Sequence, residues 1–577
     1  MARRTTVLLN ADIRTMDARR PRAEACSFSK GRILDIGAER AVLARAGADA
    51  DILDAGGRTV LPGFIDCHTH FLSLGVWSRR LDLSASRNLS DVLDAIRNRA
   101  DRTVKSEGTV DAPHLSAGSV TMRGVDASPF MAGSVKSEGR KLNGEKRHAA
   151  GWILGRGWDE AKWPDKRYLT RRDLDAASPD RPVMLIRVCG HLATLNTKGL
   201  KALGSVIGEK DVDRSTGIIR EGALERARYH LRPGLDEMLA GLQHSLGLAK
   251  RLGVTSVHDI IGLDKLAAYE TAHRQRLLTV RATLHFEARD FMDLVKRGGH
   301  TGQGGPLLRI GGMKLYADGS FGARTAALKK PYADGAGGKG GLLHADAQLR
   351  EVVRKAEQGG FQLLIHAIGD RAARQVVSAF ASTLRASTRL RHRIEHLELP
   401  GKAELGRMRK LGLWASMQPN FVGEWGRPGG MMEYRLGKRR LGLADPFKKV
   451  LRAGVPLVFG SDCMPFHPLY GIHSAVNAPF ADQRLTVGEA LAAYTRDAAA
   501  ASFEEGFKGT LSPGKAADLV VLSKDPFGHP ASIRDIDVAA TFFDGRLIWS
   551  GGRRAPLTAP GRSEATGAAP RSGSDPG

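Results

Sequence analysis

Apolar residues at Leu235, Met238, Leu239, Leu242, Leu246 and Leu252 recur at three- and four-residue spacing, which marks one buried face of a helix. That pattern stops at Gly253, and an apolar run begins at once with Val254. The same junction recurs at Gly359-Gly360-Phe361, Leu411-Gly412-Leu413 and Ala453-Gly454-Val455. Glycine accepts the left-handed backbone that ends a helix, and repeated helix–Gly–strand units predict parallel strands with crossover helices. Runs at 64–67, 254–258, 280–286, 313–317, 363–367, 393–397, 414–417 and 457–461 fill the strand role. Eight such strands predict an α/β fold, a closed (β/α)8 barrel of the TIM type. An extra strand at 183–188 falls inside a long insertion, residues 80–250.

The two chain ends have another texture. Short strands joined by turns are expected at 6–10, 13–16, 32–36 and 58–61, and again at 517–522 and 541–549, the last a hairpin turning at Asp544-Gly545. Neither end is long enough to bury a sheet face alone. The expectation is a composite β-sandwich from residues 1–60 and 508–550, with the barrel, 61–507, inserted between them. Residues 106–148, rich in Gly, Ser, Lys and Arg, read as a flexible excursion, and 551–577 as a disordered tail.

Composition adds exclusions. No apolar run reaches the ~18 residues of a membrane span, and the basic start lacks a signal-peptide apolar core. Four widely spaced cysteines form no CxxC pair, against a disulfide scaffold or thiolate zinc knot. A reduced, cytoplasmic protein is expected, with its oligomeric state left open. The formal charge is +25, densest over residues 435–452, where seven cations accompany one Asp. Such a stretch can bind nucleic acid, but no aromatic or nucleic-acid-binding module accompanies it, and it reads as solvated surface.

The strongest chemical signal is Phe64-Ile65-Asp66-Cys67-His68-Thr69-His70. Histidines at i and i+2 of a strand face the same way, and at the C-terminal end of a barrel strand they face the mouth where barrel enzymes keep their sites. The pair alone is a weak signal, and two satisfied polar histidines are its commoner reading. His366, His396 and Asp462 end three later strands, so topology gathers four histidines and a carboxylate on one rim. Such N/O ligands suit a catalytic divalent ion, zinc before others. Lys314, inside an apolar strand, is either a salt-bridge partner for Asp318 or another acid, or a neutral amine able to form a carbamate that bridges two metals. His258, which ends its strand, is either a supporting group or a polar strand end.

Taken together, LPGFIDCHTH, GRGWDEAKWP, RPVMLIRVCGHLATLN, GVTSVHD, KLYADGSFGART, IHAIGDRA, RIEHLEL, SMQP, FGSDCMP and GTLSPGKAADLVVLSKDP resemble the amidohydrolase superfamily. The likeness runs from about Val7 to Trp549, much of 106–148 excepted, and is closest to amidohydrolase family 3, the branch similar to N-substituted formamide deformylase. The resemblance implies that His68 and His70 hold one metal and His366 and His396 another. Asp462 would serve the first metal and proton transfer, and Lys314 would be the bridging carboxylated lysine, with one or two ions per chain. His191 and Asn196 match a segment thought to face the substrate, while Trp158, Asp159, Asp318 and Arg324 sit in matching loops, where turn-forming and substrate contact are equal readings. Two departures concern the substrate: relatives often have an acid where Cys189 stands, and many have a histidine near Asn420-Phe421. A divalent metal lowers the pKa of bound water from 15.7 toward about 7, so the implied reaction is hydrolysis of a non-peptide C–N bond in a small amide, formamide or cyclic amide through a metal-bound hydroxide. An esterase or deaminase using the same site, or a catalytically silent scaffold, are the alternatives.

Overall fold

The structure, a computed structural model, describes residues 4–107, 151–188, 190, 192–335, 337–384 and 386–551. The proposed excursion at 106–148, apart from the helix end at 106–107, and the tail from 552 lie outside these residues.

Eight strands form one parallel sheet: β1 (Phe64–Thr69), β2 (Val254–Ile261), β3 (Arg281–Glu287), β4 (Leu308–Tyr316), β5 (Gln362–Ala367), β6 (Arg393–His396), β7 (Trp414–Met417) and β8 (Leu457–Phe459). Each pairs with its sequence neighbour, from β1 to β8 in order. All eight expected runs are therefore barrel strands. Their residues are buried almost throughout because one side fills the interior and the other packs on helices. The helices Leu235–Arg251, Asp346–Gln358, Lys402–Leu411 and Phe447–Arg452 precede β2, β5, β7 and β8. Gly253, Gly360, Gly412 and Gly454 follow them with φ of 71°, 68°, 69° and 74°, the left-handed backbone read from the sequence.

The ring closes between β8 and β1 without a regular ladder. Asp462 N donates to His68 O at 2.8 Å, and Ser461 N donates to the Asp66 carboxylate at 2.9 Å. Gly460 makes this seam possible, since a Cβ there would stand 2.3 Å from the His68 backbone nitrogen. Gly460→Ala should therefore lower stability by about 1–3 kcal/mol, read from the urea midpoint. An unmoved midpoint would show that the seam has slack.

Strands from both chain ends share one six-stranded sheet, in the order Arg546–Ser550, Val538–Phe543, Leu519–Leu522, Thr59–Pro62, Asp12–Arg14, Arg22–Ala23. It packs on a four-stranded sheet from the N-terminal region, which includes Ala25–Ser29 and Asp51–Asp54, two strands with no clear sequence signal. Phe28 meets the edge of Phe542 with ring centres 5.6 Å apart. Arg281 of β3 ties this layer to the barrel through a buried pair with Asp518, at 2.7 and 3.0 Å.

The insertion differs from expectation. Val183–Arg187 is one of six strands, joined by Leu81–Asp82, Ile153–Trp158, Leu192–Leu195, Val212–Asp213 and Ile218–Arg220 in a separate sheet. Trp158 and Trp163 stack in its core, 5.9 Å between ring centres.

Candidate functional site

Six of the sequence-predicted residues line one cavity of about 610 Å³ at the C-terminal end of the barrel: His68, His70, Lys314, His366, His396 and Asp462. His68 lies on β1 and His70 one residue beyond it, Lys314 on β4, His366 on β5, His396 at the end of β6 and Asp462 just past β8. Ligand atoms of His68, His70 and Asp462 all lie within 4.8 Å of one another. The His68 and His396 rings are 4.9 Å apart between centres, and those of His366 and His396 are 4.4 Å apart. His396 and Asp462 adopt φ of 69° and 51°. Left-handed backbone at two non-glycine residues costs on the order of 1–3 kcal/mol each, and such strain concentrates at functional sites.

The imidazoles are held in defined roles. Glu395 takes a 2.5 Å hydrogen bond from His68 Nδ1, which leaves the Nε2 lone pair facing the cavity. Burial alone would raise Glu395, but the Arg393 guanidinium and Lys314 outweigh it and keep the carboxyl below its usual range. Arg393, itself fully buried, grips both Glu395 oxygens at 2.7 and 3.0 Å and also donates to Cys67 O and Ser416 Oγ. His366 Nε2 lies 3.0 Å from the Gly319 carbonyl, which can only accept, so its Nδ1 is the free lone pair. Burial and the charge of Lys314 push His68 well below its ordinary value, and His366 to about 4. His396 falls well below as well, through burial and the neighbouring His366 and His68. Each of these rings therefore favours its neutral form, with a nitrogen lone pair to offer.

His70 and Asp462 form the charged pair. Burial would lower His70, yet the Asp462 carboxylate 3.3 Å away holds it above its usual value. Burial likewise would raise Asp462, but His70, His68 and Lys314 bring it below the carboxylate range. Lys314 is fully enclosed, and burial lowers it to about 8 against the pull of Glu395 and Asp462. Lys314 Nζ and His396 Nδ1 are buried without a hydrogen-bond partner. Neutral imidazoles, a carboxylate and an orphaned amine around one space are the donor set that a divalent cation, or a pair bridged by a carbamate, would satisfy.

Asn196, Trp158, Asp318 and Arg324 do not line the cavity, against the expected substrate contact. Asn196 is fully buried, and its amide serves only backbone: Oδ1 accepts from Val183 N and Gly199 N, and Nδ2 donates to Ser178 O and Arg181 O. It caps the helix Thr197–Ile207. Trp158 is spent in the insertion core, with Nε1 donating to Leu185 O at 3.0 Å. The buried Asp318 accepts from Ala327, Ile368 and Gly369 backbone nitrogens and so fixes the loop entering the helix Asp370–Thr383. It stands 3.5 Å from His366 Nε2, making it a support for that ring. Arg324 pairs with Asp334 at 2.8 Å and does not line the cavity. His191 and Cys189 lie outside the described residues. His258 accepts from Arg393 at 3.1 Å, with Arg393 and Glu395 standing between it and His68. In the basic stretch, Arg435, Lys448 and Arg452 are engaged with Asp334, Glu489 and Asp482.

Sequence reasoning missed Arg393 and Glu395, whose signal was an opposite-charge pair at i, i+2 inside a short buried strand. It also missed the apolar wall, in which Phe421 and Trp425 pack with ring centres 4.9 Å apart, and the acidic Glu398, which lines the same cavity. No described helix is long and apolar enough to cross a membrane.

Comparison with known proteins agrees with this geometry. The chain is 28% identical to YtcJ of Bacillus subtilis over 93% of its own length and 98% of that protein. It is 26% identical to an N-substituted formamide deformylase of Arthrobacter pascens, over 94% of this chain and 98% of that one. Among solved structures, an uncharacterized metal-dependent hydrolase from Pyrococcus furiosus matches with a TM-score of 0.72 and 28% identity, covering 91% of this chain and all of that one. A family model for amidohydrolases matches residues 51–549, and the chain belongs to the amidohydrolase family.

Proposed function

We propose that this protein is a metal-dependent hydrolase that cleaves a non-peptide carbon–nitrogen bond in an amide, an N-substituted formamide or a cyclic amide. The observation that carries this reading is the convergence of His68, His70, Lys314, His366, His396 and Asp462 on one cavity, with the Lys314 amine left without a partner. The names of the formamide deformylase and of the Pyrococcus hydrolase support it.

His68, His70 and Asp462 would hold one divalent ion, zinc by preference for this ligand set, and His366 and His396 a second. Such an ion supplies Lewis acidity, acidifying a water and polarising the substrate carbonyl. Burial lowers Lys314 to about 8, which eases formation of its neutral amine; that nitrogen would add to carbon dioxide and lose a proton, giving a carbamate anion able to help hold the metal. Asp462, held as the carboxylate, takes a proton from the attacking water and returns it to the departing nitrogen as the C–N bond breaks. The acyl fragment leaves as a carboxylic acid and the nitrogen as an amine.

The test uses purified protein with an N-substituted formamide, a lactam and an ester of matched size. Hydrolysis of the C–N substrates is expected, with at least a hundredfold loss after chelation and recovery on adding zinc. Turnover insensitive to chelation, or confined to the ester, would refute the reading.

A further inference from the structure

One group in the cavity has no place in the hydrolytic machinery. Glu398 lies two residues beyond His396, is 2% exposed and lines the cavity wall. Its Oε2 has no hydrogen-bond partner. Behind it stands Asp445, 1% exposed, with both carboxyl oxygens unpartnered. The two are tied through the backbone, where Asp445 N donates to Glu398 O at 2.8 Å. Among the described residues neither carboxyl forms an ion pair, and the charges acting on Glu398 are those of Asp445, Asp318 and Asp462, all acidic.

Three orphaned carboxyl oxygens without a neighbouring cation are costly, because each is stripped of water and given nothing in return. An arrangement that stability alone would remove points to a ligand that completes it. A metal ion is the weaker fit, since of the two carboxyls only Glu398 lines the cavity. A nitrogen cation fits better. It brings both the missing charge and several N–H donors, and the same cavity presents the rings of Phe421 and Trp425, whose faces attract cations.

We propose that Glu398, backed by Asp445 and sharing its cavity with Phe421 and Trp425, forms a subsite for a cationic nitrogen, an ammonium or amidinium group carried by the substrate on an apolar arm. This rests on the hydrolase reading for the word substrate, but not for the binding itself. The preferred amide therefore bears a second, basic nitrogen away from the bond that breaks.

The experiment compares binding of 3-phenylpropylamine and 3-phenylpropan-1-ol, of nearly equal shape, to the metal-loaded protein by calorimetry at pH 7.5. The amine should bind at least tenfold more tightly. Glu398→Gln should bring the two within about twofold, and Asp445→Asn should move the ratio the same way. Equal affinities for the wild-type protein would overturn the proposal without recourse to any variant. A preference retained in Glu398→Gln would also overturn it, by placing the amine on the metal or elsewhere. Because the readout is binding, failure of the hydrolysis panel leaves it legible. Conversely, an active hydrolase that does not distinguish amine from alcohol loses only the subsite.

Discussion

Asp462→Asn is expected to fold normally and to lose roughly 10²–10⁴-fold in kcat, the usual range for a removed general base. The backbone contact that this residue makes across the barrel seam, Asp462 N to His68 O, does not involve the side chain, so the substitution leaves it intact. An asparagine amide has nearly the volume of the carboxylate and can still meet His70 Nε2. It cannot accept a proton from water near neutral pH. The same change also removes the negative charge that holds His70 above its usual value, so the pH profile of any residual activity should lose its contribution from that pair. Steady-state kinetics with circular dichroism and metal analysis would check it. Hydrolysis near the wild-type rate would take Asp462 out of the proton path.

The largest effect on stability is expected at Arg393→Met. The guanidinium and the Glu395 carboxylate are both wholly buried, and Glu395 in turn holds His68. Removing the cation leaves an uncompensated charge inside the barrel, which costs about 3–5 kcal/mol. Glu395→Leu alone would strand Arg393 in the same way, whereas the double variant removes both charges and should recover much of the loss. A double-mutant cycle in urea would show this as a coupling of at least about 1 kcal/mol. The double variant should nonetheless bind metal about 10–100-fold more weakly, since His68 loses the group that orients its ring. Additive losses with unchanged metal affinity would contradict the proposed chain from Arg393 through Glu395 to His68.

The barrel was legible because its signals are local and repeated: a helical apolar face, a glycine in left-handed backbone, then a short apolar strand. Gly253, Gly360, Gly412 and Gly454 behave as that pattern requires. The six cavity-lining candidates were legible for a related reason. They stand at or just beyond strand ends, and parallel topology brings all such ends to one rim. The insertion sheet was not, because Leu81–Asp82 and Val212–Asp213 are two residues long and Ile153–Trp158 is broken by glycine and arginine, so no alternation survives to be read. Asn196 and Asp318 were misplaced because polar residues that cap helices carry the same side chains as those that meet ligands. Only the partners of Asn196 Oδ1 and Asp318 Oδ2, backbone nitrogens in both cases, tell the two apart. Glu398 was invisible for the opposite reason: nothing in an acidic residue two positions past a histidine announces that it will be buried without a counter-charge.

The sheet shared by the chain ends has a consequence for biosynthesis. Thr59–Pro62 is hydrogen-bonded on one side to Leu519–Leu522, a strand translated some 450 residues later. At roughly 5–20 residues per second, that edge waits about 20–90 s on the ribosome without its partner strand, its amides bonded only to water. During this interval the nascent chain presents a sticky template to other polypeptides, so a cell making this protein in quantity would depend on chaperones to shield its beginning until its end emerges.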